Sequence, residues 1–312
     1  MPYLAIFIVN FLLLLASYTL TAQTITTEVE AKVTQAIKQA VKHTSKSLIV
    51  RYNQSSLFDD NEKYYGSLLK LALEETLDDF GPYQLVPVNI NMVQQRSINM
   101  LSSEQNIDVL WAMTSKKREQ ILQAIYVPLL KGLMGSRVFL IRDGDQNIFS
   151  DINSLSELNT LLAGQGLNWP DTEILRANNI PTVDALTRSL HTMLARRRFD
   201  YIPRAITEVR KELAQYPMLA LESHLILQYT APLYFFVNKK NSALANRLQV
   251  GLTRAINKGK FDQLFYRLKA PPRLMAQLNI GNRAVFKLEN PLLSEKTKQL
   301  QSKKNLWLSL DP

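Results

Sequence analysis

The sequence predicts an α/β protein of about two domains. Three observations carry that reading. The chain has 312 residues, and domains average roughly 150. From Ser47 onward, short apolar runs alternate with stretches of helical periodicity. The composition, 46% hydrophobic and 21% charged, is that of an ordinary globular protein, with no internal repeat and no low-complexity linker.

The elements follow in order. Residues 4–16 are apolar apart from Asn10, and no charged side chain precedes Glu28. These thirteen residues are too few to span a bilayer as a helix, which needs about 20. They suit the apolar core of a secretory signal, with Ala16 or Ala22 near the cleavage point. Residues 1–22 are therefore read as a signal peptide, and the mature chain as periplasmic. Val29, Val33, Ile37 and Val41 recur every four residues, one apolar stripe able to dock a helix, so 23–46 is expected as an N-terminal helix. Short apolar runs predict strands at 48–51, 84–88, 107–111, 137–142, 161–165, 199–202, 225–229 and 233–237. Helices are expected at 65–80, 183–197, 204–216 and 243–258. Such alternation argues for largely parallel sheets. Residues 281–312 are polar and lysine-bearing, and read as a C-terminal extension.

Composition also excludes. Without cysteine there is no disulfide framework, thiolate metal site, cysteine nucleophile or N-terminal lipoprotein anchor. Ser67 and Lys70 fit S-x-x-K, but the S-D-N and K-T-G companions are missing, and the pair reads as the polar face of a helix. His43, His191 and His224 show no ligand spacing, so no metal is expected. The acidic pairs Asp59-Asp60 and Asp78-Asp79 are adjacent residues that point apart, not acid/base couples. Gly164-Gln165-Gly166 lacks the third glycine of a dinucleotide loop, and no cofactor is expected. The net charge of +10 bears on partners rather than on fold. Its clusters at 116–118, 196–198 and 239–240 are short and lack interleaved aromatics, so nucleic acid is not an expected partner.

Three stretches together resemble periplasmic solute-binding proteins of the type-two fold, most nearly the bacterial extracellular solute-binding protein family 3, whose members bind amino acids. The first runs from Ile107 through Asp108 and Trp111 to Thr114, Ser115 and Arg118, similar to that family's strand, small-residue loop and Thr-x-x-Arg helix start. The second is Ser154-Leu155-Ser156-Glu157-Leu158 with Leu162-Ala163-Gly164-Gln165-Gly166, resembling the "SLxDL" helix and following strand. The third joins 232–241 to Ala255-Ile256-Asn257-Lys258-Gly259-Lys260-Phe261, similar to the return strand and closing helix.

The resemblance covers about residues 48–268 and implies two α/β lobes with two hinge crossovers, near 137–142 and 233–237. Lobe one would be discontinuous, 47–142 with 232–280, and lobe two would be 143–231. Ligands of open α/β sheets bind beyond the carboxyl ends of strands, so the implied cleft collects Arg51, Tyr52, Trp111, Thr114 and Arg118 from lobe one. Gln165, Asn168, Trp169 and Arg204 would come from lobe two. Arg118 matches the family's ligand-carboxylate arginine. Arg204 stands where amino-acid binders carry an aspartate for the ligand ammonium, which points to an acidic ligand held by Arg51, Arg118 and Arg204. The implied function is that of a monomeric, non-catalytic binding protein serving an inner-membrane permease or a sensor. The alternatives are an interaction or signalling module that kept the fold, and a dehydratase-like enzyme on the same scaffold.

Overall fold

The computed structural model describes residues 47–54, 60–89, 94–270 and 276–308, so the expected signal peptide and N-terminal helix lie outside the described residues. The chain begins with β1 (Leu48–Asn53), α1 (Asp60–Glu74), α2 (Leu77–Phe80), β2 (Tyr83–Val88), α3 (Gln94–Ser102), β3 (Leu110–Met113), α4 (Lys116–Ile121) and β4 (Leu122–Ile125). It continues through β5 (Ser136–Arg142), α5 (Leu155–Leu158), β6 (Ala163–Gly166), α6 (Pro170–Ala177), β7 (Thr182–Ala185), α7 (Thr187–Ala195), β8 (Ile202–Ala205) and α8 (Val209–Gln215). Last come β9 (Leu219–Leu221), β10 (Leu225–Gln228), β11 (Leu233–Asn238), α9 (Ser242–Asn257), α10 (Lys260–Leu268), β12 (Ala284–Lys287) and α11 (Glu295–Leu300). No helix among the described residues is long and apolar enough to cross a membrane.

Among the described residues two compact units are distinguished, 47–48 with 77–84, and the described parts of 49–76 with 85–308. In the first, α2 closes through Gly81, whose positive φ of 76° suits glycine, and Leu48 N–H donates to Pro82 O at 3.0 Å. The second unit holds the rest.

Its first sheet is three-stranded. β11 lies between β3 and β4 and is antiparallel to both, with Phe235 opposite Trp111 on one side and Ile125 on the other. All six β11 residues are buried, as an interior strand covered on both faces requires. Tyr234 and Phe236 join Leu110, Ala112, Leu122 and Ala124 in one core cluster. Behind the sheet α9 crosses α1 closely: a Cβ on Gly251 would lie 1.9 Å from Ala72 O.

β5 organises the second sheet. It is antiparallel to β8, with Phe139 opposite Pro203, to β9, with Ile141 opposite Ala220, and to β10, with Arg137 opposite Leu227. β12 adds to β10 in parallel, Val285 opposite Ile226. Phe139, Phe149 and Tyr201 stack in its core, the Phe139 and Tyr201 centroids 4.6 Å apart. A parallel pair, β6 with β7, lies alongside through a bridge from Ala163 to Tyr201. The chain passes from the first sheet to the second in residues 126–135 and returns in 229–232.

Several expectations are corrected. The sheets are not largely parallel, because the central strands β5 and β11 run against the neighbours they join. The expected helix at 183–197 begins as β7, where Thr182 and Val183 pair with β6 before α7 starts at Thr187. Arg204 and Ala205 complete β8 instead of opening a helix. The expected helix at 65–80 breaks at Thr76, whose hydroxyl approaches both Ala72 O and Leu73 O and so competes with the helical ladder.

Candidate ligand-binding cleft

β3 carries Trp111 into the first sheet and ends at Met113. Ser115 then caps α4, its Oγ accepting from Arg118 N–H at 3.2 Å. The cap turns the Arg118 side chain inward. Only 7% exposed, it donates to Met113 O and to Gln94 Oε1, both at 2.6 Å. No carboxylate lies within ion-pair distance of it among the described residues. Burial pushes the guanidinium down to about 10, while Asp171 and Glu173 act in the opposite direction. Arg118 remains a cation at neutral pH, compensated only by charges at a distance.

Those distant charges sit on α6. β6 ends at Gly166, Asn168 takes a left-handed φ of 63°, and Pro170 opens the helix at its first position. A cavity of about 230 Å³ lies between these segments, lined by Ser115, Arg118, Asn168, Pro170, Glu173 and Leu292 among others. A larger cavity of about 320 Å³ lies elsewhere, by Gly132, Tyr229 and Trp307, and holds none of the nine expected site residues.

The structure treats the expected site residues unequally. Arg118 and Asn168 share the first cavity. Tyr52, Tyr65 and Trp111 form an aromatic cluster, with Trp111 5.1 Å from Tyr65 and 6.2 Å from Tyr52. Thr114 is fully buried and donates to Glu119 Oε1 at 2.6 Å. Gln165 is also fully buried, its Oε1 accepting from Gly166 N–H at 3.0 Å. Arg51 grips Asp108 through two hydrogen bonds of 2.9 Å while 41% exposed.

Arg204 is engaged internally as well. Its guanidinium binds Glu212 Oε1 at 2.5 Å and Glu208 Oε2 at 3.0 Å, and lies 5.0 Å from the Trp169 ring centroid. Burial works against this charge, but Glu208 and Glu212 overcome it and raise the pKa above the ordinary arginine value.

Sequence reasoning missed a buried polar centre next to Arg204. Asp171, 3% exposed, meets Arg137 at 2.5 Å and accepts from the Tyr229 hydroxyl, while Arg137 Nε donates to Tyr229 Oη at 3.0 Å. Asp171 acts electrostatically on Arg118, Arg137 and Arg204 together. The only local signals were an acid just inside a proline-started helix, and glutamates four and eight residues beyond Arg204.

No protein-family model and no curated protein matches the sequence. Solved structures do match. An arginine-specific periplasmic binding protein of Salmonella typhimurium superposes with a TM-score of 0.52 at 16% identity, covering 72% of this chain and 100% of the other. The probable amino-acid transporter extracellular-binding protein ytmK of Bacillus subtilis gives 0.52 at 15%, covering 72% and 99%. A histidine kinase sensor domain with similarity to periplasmic binding proteins gives 0.50 at 16%, covering 72% and 96%. The chain therefore has the two-lobed α/β architecture of type-two periplasmic binding proteins, in divergent form.

Proposed function

We propose that the chain is an exported, non-catalytic solute-binding protein that closes two lobes around a small carboxylate-bearing ligand. In this reading the lobes form around the two sheets, so the boundaries expected near 142 and 232 move to residues 126–135 and 229–232, where the chain passes between them. The mature chain acts as a periplasmic monomer that serves a permease or a sensor. The observation that carries the proposal is Arg118, a buried cation on a cavity wall with carbonyl oxygens for partners and, among the described residues, no carboxylate in contact. A ligand carboxylate would supply the missing counter-charge through the planar fork that arginine offers. Arg51 and Arg204 already hold carboxylates of the chain, so the reading rests on Arg118 rather than on three arginines. Neighbouring structures described as transporter binding proteins and as a sensor domain support both kinds of partner.

The test is a thermal-shift screen of the mature protein against amino acids, organic acids, aromatics and sugars. A ligand at one hundred times its Kd stabilises by about 2.7 kcal/mol. The expected hit bears a carboxylate and loses its effect in Arg118→Ala. A cationic or neutral hit sinks the carboxylate assignment. No hit in any class favours the signalling module, a reading that the internal pairing of Arg51 and Arg204 also supports.

A further inference from the structure

The C-terminal segment makes a third crossing between the two sheets, and it is hydrogen-bonded on both sides. It leaves the second sheet at β12, where Leu288 N–H donates to Gln228 O at 2.9 Å. Glu289 then exchanges two backbone-to-side-chain bonds with Asn178, the C-cap of α6, at 2.8 and 3.0 Å. Asn290 Nδ2 donates to Thr230 O at 2.8 Å, on the passage between β10 and β11, and its Oδ1 accepts from Leu292 N–H at 2.9 Å. Lys116, the first residue of α4, donates its N–H to Leu292 O at 2.8 Å. Beyond this point the fully buried Thr297 donates to Glu119 Oε1 at 3.1 Å, and Leu300 and Leu306 enter the core of the first sheet.

Pro291 and Leu292 line the same cavity as Arg118. The segment thus lies at the place where the α4 side and the α6 side approach each other. Three residue steps separate Glu289 from Leu292, and an extended chain covers at most about 3.6 Å per step. While both anchors hold, those two points cannot part by more than roughly 11 Å. Proline at 291, with its fixed φ, shortens the reach further.

We propose that residues 289–292 are a strap that couples α6 to α4, and that one anchor must release before the two sheets swing apart. The α4 anchor is the weaker, a single hydrogen bond against the reciprocal pair at Asn178. Opening therefore proceeds by loss of the Leu292–Lys116 bond. The device goes beyond the binding reading and does not depend on any ligand, since it concerns the empty chain.

The test is hydrogen exchange and small-angle scattering on the ligand-free mature chain, comparing wild type with Asn178→Ala and Asn290→Ala. Neither substitution touches the Lys116 amide. If the segment is ordered as one unit, so that its middle and far end hold Leu292 in place, loosening either should speed Lys116 exchange about fivefold, the equivalent of one net hydrogen bond. The radius of gyration should rise while β11 amides stay protected, which reports that the fold is intact. Should Asn290→Ala lose that protection, Asn178→Ala alone carries the test, since it removes only the two bonds to Glu289 and one to Ile174 O at the end of α6. The proposal is overturned if Lys116 exchange is unchanged, or if it quickens with no increase in radius, because the contacts would then be local and restrain nothing.

Discussion

Asp171→Asn removes the anion from the buried centre while keeping its size and one acceptor oxygen. In the native chain Asp171 lies 2.5 Å from Arg137, and the two side chains are 4% and 2% exposed. After the change Arg137 keeps its charge with Glu208, at 3.9 Å, as its one carboxylate neighbour among the described residues. Removing one partner of a buried pair costs about 3–5 kcal/mol, because the other charge is left uncompensated. Glu208 offsets part of that loss, so about 3 kcal/mol is expected. At roughly 2–4 °C per kcal/mol for a domain of this order of size, the midpoint should fall by roughly 6–12 °C. The assay is urea unfolding at pH 7 with an unchanged m-value, supported by thermal melts. Arg51→Ala serves as the contrast. Its pair with Asp108 has comparable geometry but is 41% exposed on the arginine side, so about 0–1 kcal/mol is expected. Replacing both buried partners, Arg137→Met with Asp171→Leu, should recover most of the loss. A deficit below about 1 kcal/mol for Asp171→Asn, or an equal deficit for Arg51→Ala, refutes the argument that burial sets the value of these pairs.

Three further outcomes are expected. With whichever ligand the screen finds, calorimetry on Arg118→Ala should show a loss of about 2–5 kcal/mol, and Arg51→Ala almost none. Glu212 is buried, which alone would raise its pKa, but Arg204 and His191 hold it below the usual carboxylate range. A lowered folded pKa gives stability that is complete above the unfolded value, near 4.5, and is lost as pH falls through the folded one. Urea midpoints measured down this acid limb should therefore fall for wild type and flatten for Glu212→Gln. Gly135→Ala should destabilise by about 1–3 kcal/mol in urea unfolding, because its Cβ would sit 1.7 Å from Tyr229 O where the two passages between the sheets run side by side. A neutral result would mean that these passages are free to shift.

What the sequence by itself determined was local. The apolar run at 107–111 already marked a buried strand, found two to three residues further on at Leu110–Met113, and the resemblance placed a helix start with Arg118 just after it, because each signal acts within a few residues. The tertiary structure alone decided that β11 inserts between β3 and β4, which turned the expected parallel sheets into antiparallel ladders. It also decided which arginines are engaged internally. Asp171 meets Tyr229 across 58 residues of sequence and Arg137 across a different element, and no short-range pattern foretells such a meeting. Arg204 shows the limit well: its glutamates follow at helical spacing, yet it sits on a strand and reaches them across a turn. Strand propensity and capping depend on neighbours along the chain. The pairing of charges depends on which elements the packed core brings face to face, and burial then makes those pairs strong.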